Sequence, residues 1–283
     1  MLLGTFKRFY KSFRLQPVQS DSLGRISVII ASLNDPRISK TLESLSFQTV
    51  KPYEIIVADG GTTWNIEDVC RKYGARLEHL PGNIIESRNQ ALSLVSGDLI
   101  AFIDTDETAI PEWLERLSMP ILEGRADFTG GPMKHFEPKY GPERYVNMIE
   151  DYIYEYQVPA NIAFLPLGNT MWKKTVFEKL GGFDESIPYG EDYDINIRAI
   201  NGGFRGTYIP DAVIYHDHSE FDSYYKLLRK RYAYLRAAAK VFIKNRSLRM
   251  RMNSKTGGKV NHPFHIIETL LKPVALIDAF IRS

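Results

Sequence analysis

Three acids crowd into four positions at the end of an apolar run: in LIAFIDTDETAI, residues 99–110, the stretch Leu99–Ile103 leads into Asp104, Asp106 and Glu107. Extended residues two apart point to the same side, so Asp104 and Asp106 are expected to face one ligand together. Paired carboxylate oxygens suit Mg2+ or Mn2+, ions that keep positions open for water and substrate phosphates. The same acids read equally as an acidic loop or a helix start ahead of Pro111, where carboxylates are favoured. Asp59 ends a second strand-like run, EIIVAD, and Glu191, Asp192 and Asp194 open a helix-like stretch, EDYDINIRAI. His216 and His218 follow a late apolar run in VIYHDHSE.

Elements that would hold these residues alternate between strand and helix. ISVIIAS is a β-branched run followed by a loop with Asn34 and Asp35, then by the helix-like RISKTLESLSFQT. YEIIVAD and IEDVCRKYG repeat the plan, ARLEHLPG reads as a third strand and turn, IIESRNQALSLVSG as a helix closed by Gly97, and DLIAFIDTDE as a fourth strand. FTGGPMKHF reads as strand and turn, GPERYVNMIEDYIYEYQ and KKTVFEKLGG as helices, and FRGTYIPDAVIYH as strand material. Such alternation predicts an α/β fold with a mainly parallel sheet and helices on both faces. Ligands bind such sheets beyond the carboxyl ends of the strands, which is where Asn34, Asp59 and the Asp104/Asp106 pair fall.

Composition narrows the function classes. The 283 residues are 44% hydrophobic and 25% charged, which excludes a disordered chain. A formal net charge of +2 and the lack of finger, RNP or helix-turn-helix signatures argue against nucleic acid as a partner. The single cysteine, Cys70, rules out an internal disulfide and cysteine-rich zinc sites, and favours a reducing, cytoplasmic setting. No secretory signal and no clean apolar stretch of about 20 residues are expected.

Five segments in order, ISVIIASLND, QTVKPYEIIVADGGTT, ESRNQALSLVSGDLIAFIDTDE, LGNTMWKKTVFEKLGGFDES and GEDYDINIRAINGGF, give the chain a resemblance to the family 2 glycosyltransferases over roughly residues 25–218. The resemblance implies the GT-A fold and an inverting, metal-dependent transfer of one sugar from a nucleoside-diphosphate-sugar donor. It implies that Asp59 bonds the donor's nucleobase, that Asp106 is the direct ligand of Mn2+ or Mg2+, and that Asp104 lies near the ribose and the metal. Arg88 is then a diphosphate or nucleotide contact, with Ser32 and Asn34 on the donor side, and Asp192 is the catalytic base, flanked by Glu191 and Asp194 as capping or orienting groups. His216 matches the histidine that completes the metal site in some members. The bland readings are a surface arginine at 88, an acidic first turn at 191–194 and a polar strand end at 216.

The chain departs from the usual pattern at Ala31, Leu33 and Gly60, which weakens base stacking and ribose contacts, and it lacks Gln-x-x-Arg-Trp, which argues against a processive synthase. In the first 24 residues, Leu2, Leu3, Phe6, Phe9, Tyr10 and Phe13 gather on one helical face, with Lys7, Arg8, Lys11 and Arg14 elsewhere. Residues 219–283 are basic and amphipathic, including Arg229, Lys230, Arg231, Arg236, Lys240, Lys244, Arg246, Arg249 and Arg251, a Gly257-Gly258 linker and an apolar last helix. Three parts are therefore expected: residues 1–24 as an amphipathic segment, 25–218 as the transferase domain, and 219–283 as a helical region that binds membrane or packs on the domain. Two such anchors predict a peripheral enzyme on the cytoplasmic face of the membrane and a lipid-linked glycan or polyprenyl phosphate acceptor. The competing readings are a soluble transferase with a non-lipid acceptor, a nucleotidyltransferase, for which the phosphate loop is missing, and an inactive relative that serves as a carbohydrate-binding or scaffold subunit.

Overall fold

The structure, a computed structural model, describes residues 24–158, 162–187, 189–244 and 263–281. The amphipathic face of residues 1–23, Arg246, Arg249, Arg251 and the Gly257-Gly258 linker lie outside the described residues.

Strand β1 (Ile26–Ser32) is buried along its whole length. It is paired in parallel on one side with β2 (Glu54–Asp59) and on the other with β4 (Leu99–Phe102). A strand covered on both edges and both faces must be apolar nearly throughout, which is why ISVIIAS carries no alternation. Its one early polar side chain, Ser27, donates to Glu54 Oε1 at 2.6 Å. Beyond β2 lies β3 (Arg76–His79), also parallel. On the far side the order continues through β8 (Thr170–Lys173), β6 (Phe128–Gly130) and β9 (Gly206–Tyr208), giving seven strands in the order β3-β2-β1-β4-β8-β6-β9. Only β8 runs against its neighbours β4 and β6. The sheet is thus mainly parallel, as the alternation predicts.

Helices α1 (Ile38–Ser46), α2 (Ile66–Tyr73) and α3 (Ile84–Leu94) connect the first four strands. Helix α3 begins in a capping box: the Asn83 side chain accepts from the backbone of Ile85 and Glu86, and Glu86 accepts from the N–H of Asn83. The helix closes at Val95, not at Gly97 as the pattern predicts. Gly97 serves β1 instead, because a Cβ there would lie 2.5 Å from the carbonyl oxygen of Arg25. Helix α4 (Trp113–Leu122) follows the acidic tip, α5 (Gly141–Tyr152) leads into a π-helical turn at Ile153–Gln157, α6 (Lys174–Leu180) ends on left-handed Gly181, and α7 (Glu191–Asn201) starts from left-handed Gly190.

A second, three-stranded sheet sits at the C-terminal edge of the first. It consists of β5 (Glu107–Ala109), β10 (Ile214–His216) and β7 (Met133–His135), in the order β5-β10-β7. The fully buried Asn169 ties this sheet to the body: its amide donates to the carbonyls of Pro132 and Ala212, each at 2.9 Å, and its oxygen accepts from Trp113 Nε1 at 2.7 Å. Gly131 lets the two segments meet, since a Cβ there would come within 2.0 Å of the Ala212 carbonyl oxygen.

Helix α8 (Tyr224–Lys244) lies on the domain. Leu227, with Phe221 just before the helix, packs against Tyr145, Val146 and Ile149 of α5, while Val241 packs against Ala163, Ile187 and Ile197. Helix α9 (Pro263–Ile281) lies along α8, where Asp278 accepts from Tyr232 Oη at 3.3 Å and from Arg236 at 3.4 Å. Ala275 and Ala279 face inward, whereas Ile267, Leu270, Val274 and Ile277 are exposed at helical spacing.

Candidate active site

The parallel pairing of β1, β2 and β4 brings Ser32, Asn34, Asp59 and the acidic tip to one edge, because parallel strands share their carboxyl ends. Asn34 adopts a positive φ of 55°, and its Oδ1 accepts from the backbone and hydroxyl of Thr63 at 2.7 and 2.9 Å. These bonds tie the loop after β1 to the loop after β2. Asp59 is 1% exposed; its two carboxylate oxygens accept the Thr62 N–H, and His79 Nδ1 is 3.2 Å away. Beside it in register stands Ser32, whose buried hydroxyl has no hydrogen-bond partner among the described residues. Leu33 is exposed.

The tip itself is a turn, not an extended segment. Residues 105 and 106 form it, with the Glu107 N–H donating to the Asp104 carbonyl at 3.2 Å. Asp104 and Asp106 therefore take different partners. Glu107, for which the sequence offers no role, builds the turn: it is buried, and its Oε2 accepts the Asp104 N–H at 2.7 Å. Burial and the neighbouring Asp104 and Asp106 push its carboxyl well above the usual range. Thr41 of α1 supports the same turn, its hydroxyl lying 2.7 Å from the Glu107 carbonyl and 2.9 Å from that of Thr105.

One arm of the site runs from Asp104 to the acidic helix. Arg88 is 3% exposed, with Nη2 at 2.6 Å from Asp104 Oδ1 and Nη1 at 2.5 Å from Glu191 Oε1. Both terminal nitrogens of the guanidinium are thus engaged by carboxylates of the protein. Asp192, next along α7, has its carboxyl pushed up to about 7 by burial and by the charge of Glu191. Asp194 is buried and pairs with Arg198 at 2.7 Å, and Arg198 in turn donates to the carbonyls of Leu180 and Gly182. It anchors the helix.

The second arm gathers positive charge on Asp106. His216 Nε2 lies 3.4 Å and Arg37 Nη2 3.3 Å from Asp106 Oδ2. His216, Arg37 and Lys230 hold the Asp106 carboxyl well below its ordinary range. Asp106 and Glu150 in turn raise the His216 imidazole well above its own. Arg37 also pairs with Asp35 at 2.6 Å and Glu220 at 3.0 Å, and Lys230 of α8 with Glu220 at 3.1 Å. Neither Arg37 nor Lys230 is singled out by the motifs. The signal for Arg37 was only its place beside Asp35 after the first strand, and Lys230 was one basic residue among many.

Asp106 and His216 fit a shared divalent ion. They offer a hard oxygen and an imidazole nitrogen 3.4 Å apart, close to the roughly 3 Å between adjacent ligands on an ion with bonds of about 2.1 Å. Asp104 does not converge with them. Among the described residues, the group of three whose ligand atoms all lie within 4.8 Å of one another is His135, Glu150 and His218.

Residues 27–181 match the family model described as Glycosyl transferase family 2, more than half of the chain. The chain belongs to this family. As a family 2 glycosyltransferase it is similar to glycosyltransferase AglE of Haloferax volcanii, 27% identical over 225 residues that cover 75% of this chain and 72% of that one. It is also similar to the glucosyl-dolichyl phosphate glucuronosyltransferase of the same organism, 26% identical over 193 residues, 62% of this chain and 60% of that one. Its fold matches that of the mannosyltransferase PcManGT from Pyrobaculum calidifontis in complex with GDP-Man and Mn2+, with a TM-score of 0.56 and 18% identity over 99% of this chain and 80% of that one. This glycosyltransferase therefore has the GT-A fold that its ordered motifs imply.

Proposed function

We propose that this glycosyltransferase moves one sugar, with inversion and with the help of Mn2+ or Mg2+, from a nucleoside diphosphate to a membrane-associated acceptor, a lipid-linked glycan or a polyprenyl phosphate. The observation that carries the reading is Asp192, a carboxyl pushed up to about 7 and linked through Glu191 and Arg88 to Asp104 at the donor edge. A carboxylate with that affinity for protons is suited to act as a general base near neutral pH.

In this reading Asp192 takes the proton of a glycan acceptor's hydroxyl as that oxygen bonds to the anomeric carbon, whereas a polyprenyl phosphate would attack through an already anionic phosphate oxygen. The bond from that carbon to the nucleoside diphosphate breaks on the opposite face, and the electron pair leaves on the diphosphate oxygen. Asp106 and His216 would hold the divalent cation, which when bound supplies Lewis-acid stabilisation of the leaving diphosphate. Arg37 and Lys230 add fixed positive charge beside Asp106. Arg88 has both ends occupied by Asp104 and Glu191, so its role is to set the distance between donor edge and base helix. Ser32, with its buried hydroxyl, Asn34 and Asp59 line the side on which the nucleoside would lie.

Two observations support a lipid acceptor. Helix α9 leaves Ile267, Leu270, Val274 and Ile277 exposed on one face, and the name of one relative specifies a dolichyl phosphate-linked substrate. No helix among the described residues is long and apolar enough to cross a membrane, so the contact proposed is peripheral, on the cytoplasmic face. The test is donor turnover, measured with a panel of nucleotide sugars with and without Mn2+. Metal-dependent turnover lost in Asp106→Ala is expected; unchanged turnover in that variant would overturn the metal assignment.

A further inference from the structure

Behind the donor edge His216 is joined by three side chains that the transfer reaction does not use, His135, Glu150 and His218. In the three-stranded sheet His216 is the register partner of His135 on β7 and of Glu107 on β5, so these side chains share one face. His218 stands two residues beyond His216, and α5 brings Glu150 over the group. Three imidazoles converge on one carboxylate oxygen: Glu150 Oε2 lies 3.2 Å from His218 Nε2, 3.5 Å from His216 Nδ1 and 3.7 Å from His135 Nδ1. The His135 and His218 side chains are 6% and 4% exposed. Yet, among the described residues, both ring nitrogens of each and Glu150 Oε2 itself make no hydrogen bond of good geometry.

A hydrogen-bonded polar core would not leave five buried atoms of three side chains, one from each close to the other two, without a well-formed bond. Protonated imidazoles so close would repel, and neutral ones, each with one donor and one acceptor nitrogen, are left unpaired by this geometry. A single cation among them would meet one atom of each of His135, Glu150 and His218, whose ligand atoms already lie within 4.8 Å of one another. Two imidazoles and one carboxylate are a Zn2+ donor set with a fourth position open. The outer groups fit as well: His135 presents Nε2 to Asp151 Oδ1 at 3.4 Å, a carboxylate placed to orient a ligating imidazole. The π-helical turn that follows Glu150 and Asp151 is a distortion of the kind found at functional sites.

We propose that His135, Glu150 and His218 bind a divalent transition metal, Zn2+ by preference, at a second site separate from the Asp106–His216 edge. The ion pins α5 to the small sheet, and Glu150 passes its position to His216 and so to Asp106. This assignment stands apart from the transferase reading, since it requires only binding.

The experiment is metal analysis of the full chain after exposure to Zn2+ and removal of loose ions, together with Co2+ as a spectroscopic probe. About one equivalent of Zn2+ is expected in the natural chain and in Asp106→Ala. A pair of imidazole ligands is expected in the X-ray absorption spectrum, and Co2+ should give the intense visible bands of a four-coordinate site. Glu150→Gln, close in size and shape, should bind Zn2+ at least tenfold more weakly, and His135→Asn with His218→Asn should bind none, with circular dichroism confirming that each variant is folded. A natural chain that retains no Zn2+ and gives no such Co2+ spectrum would overturn the site. So would Zn2+ bound equally well by Glu150→Gln, or lost in Asp106→Ala, which would place the ion at the donor edge.

Discussion

Arg88 holds Glu191, 103 positions away in the chain, by a hydrogen bond of 2.5 Å between its Nη1 and the carboxylate. Through its other nitrogen the same guanidinium holds Asp104, so one buried cation spans the acidic tip of β4 and the first turn of α7. Arg88→Ala leaves two carboxylates facing each other without their cation. A loss of about 3 kcal/mol is expected, at the low end for a broken buried pair because Asp104 is 35% exposed. Urea denaturation measures it. Arg88→Lys, which reaches only one carboxylate well, should recover part of the stability and little of the activity; full activity in Arg88→Ala would refute its positioning role.

The second expectation concerns pH. Burial and Glu191 push Asp192 up to about 7, and the base must be ionised to accept a proton. The value of kcat/KM should rise with pH through about 7 and fall roughly tenfold per pH unit below it. Asp192→Asn should lower kcat by about 10²- to 10⁴-fold and abolish that acidic limb. A limb that survives in Asp192→Asn would assign the base to another group.

Product stereochemistry is a third check. With one carboxylate as base and the leaving group on the opposite face, the anomeric centre inverts, and proton NMR of the new linkage should show a configuration opposite to that of the donor. Retention would contradict the proposed single displacement.

Packing around the tip makes a fourth prediction. A Cβ on Gly168 would lie within 2.4 Å of Glu107 Oε1, and Glu107 holds the turn through the Asp104 N–H. Gly168→Ala should cost about 1–3 kcal/mol and weaken metal-dependent donor binding, as read by thermal shift with and without Mn2+.

The membrane reading is tested at α9. Leu270 is 69% and Ile277 60% exposed, and Leu270→Glu with Ile277→Glu should greatly reduce flotation with anionic liposomes while leaving the pairing of Asp278 with Arg236 in place. If the natural chain does not float, or the double variant floats equally well, peripheral binding through this face is wrong.

What could be read in the chain alone was whatever local physics writes locally. The apolar run ISVIIAS requires a buried strand, Gly181 marks a helix end, and repeated strand-helix units leave Asn34, Asp59 and Asp104 at one edge of a parallel sheet. The five ordered segments carried the family because each contains a run of neighbouring residues. The small sheet was a different matter: its strands are three residues each, drawn from 107–109, 133–135 and 214–216, too short for any period to show. Only tertiary structure could set His216 beside Asp106, turn Asp104 away toward Arg88, and deliver Arg37 and Lys230 to the same carboxylate. Those relations join residues distant in the chain, where charge and burial, not adjacent sequence, decide which side chains meet.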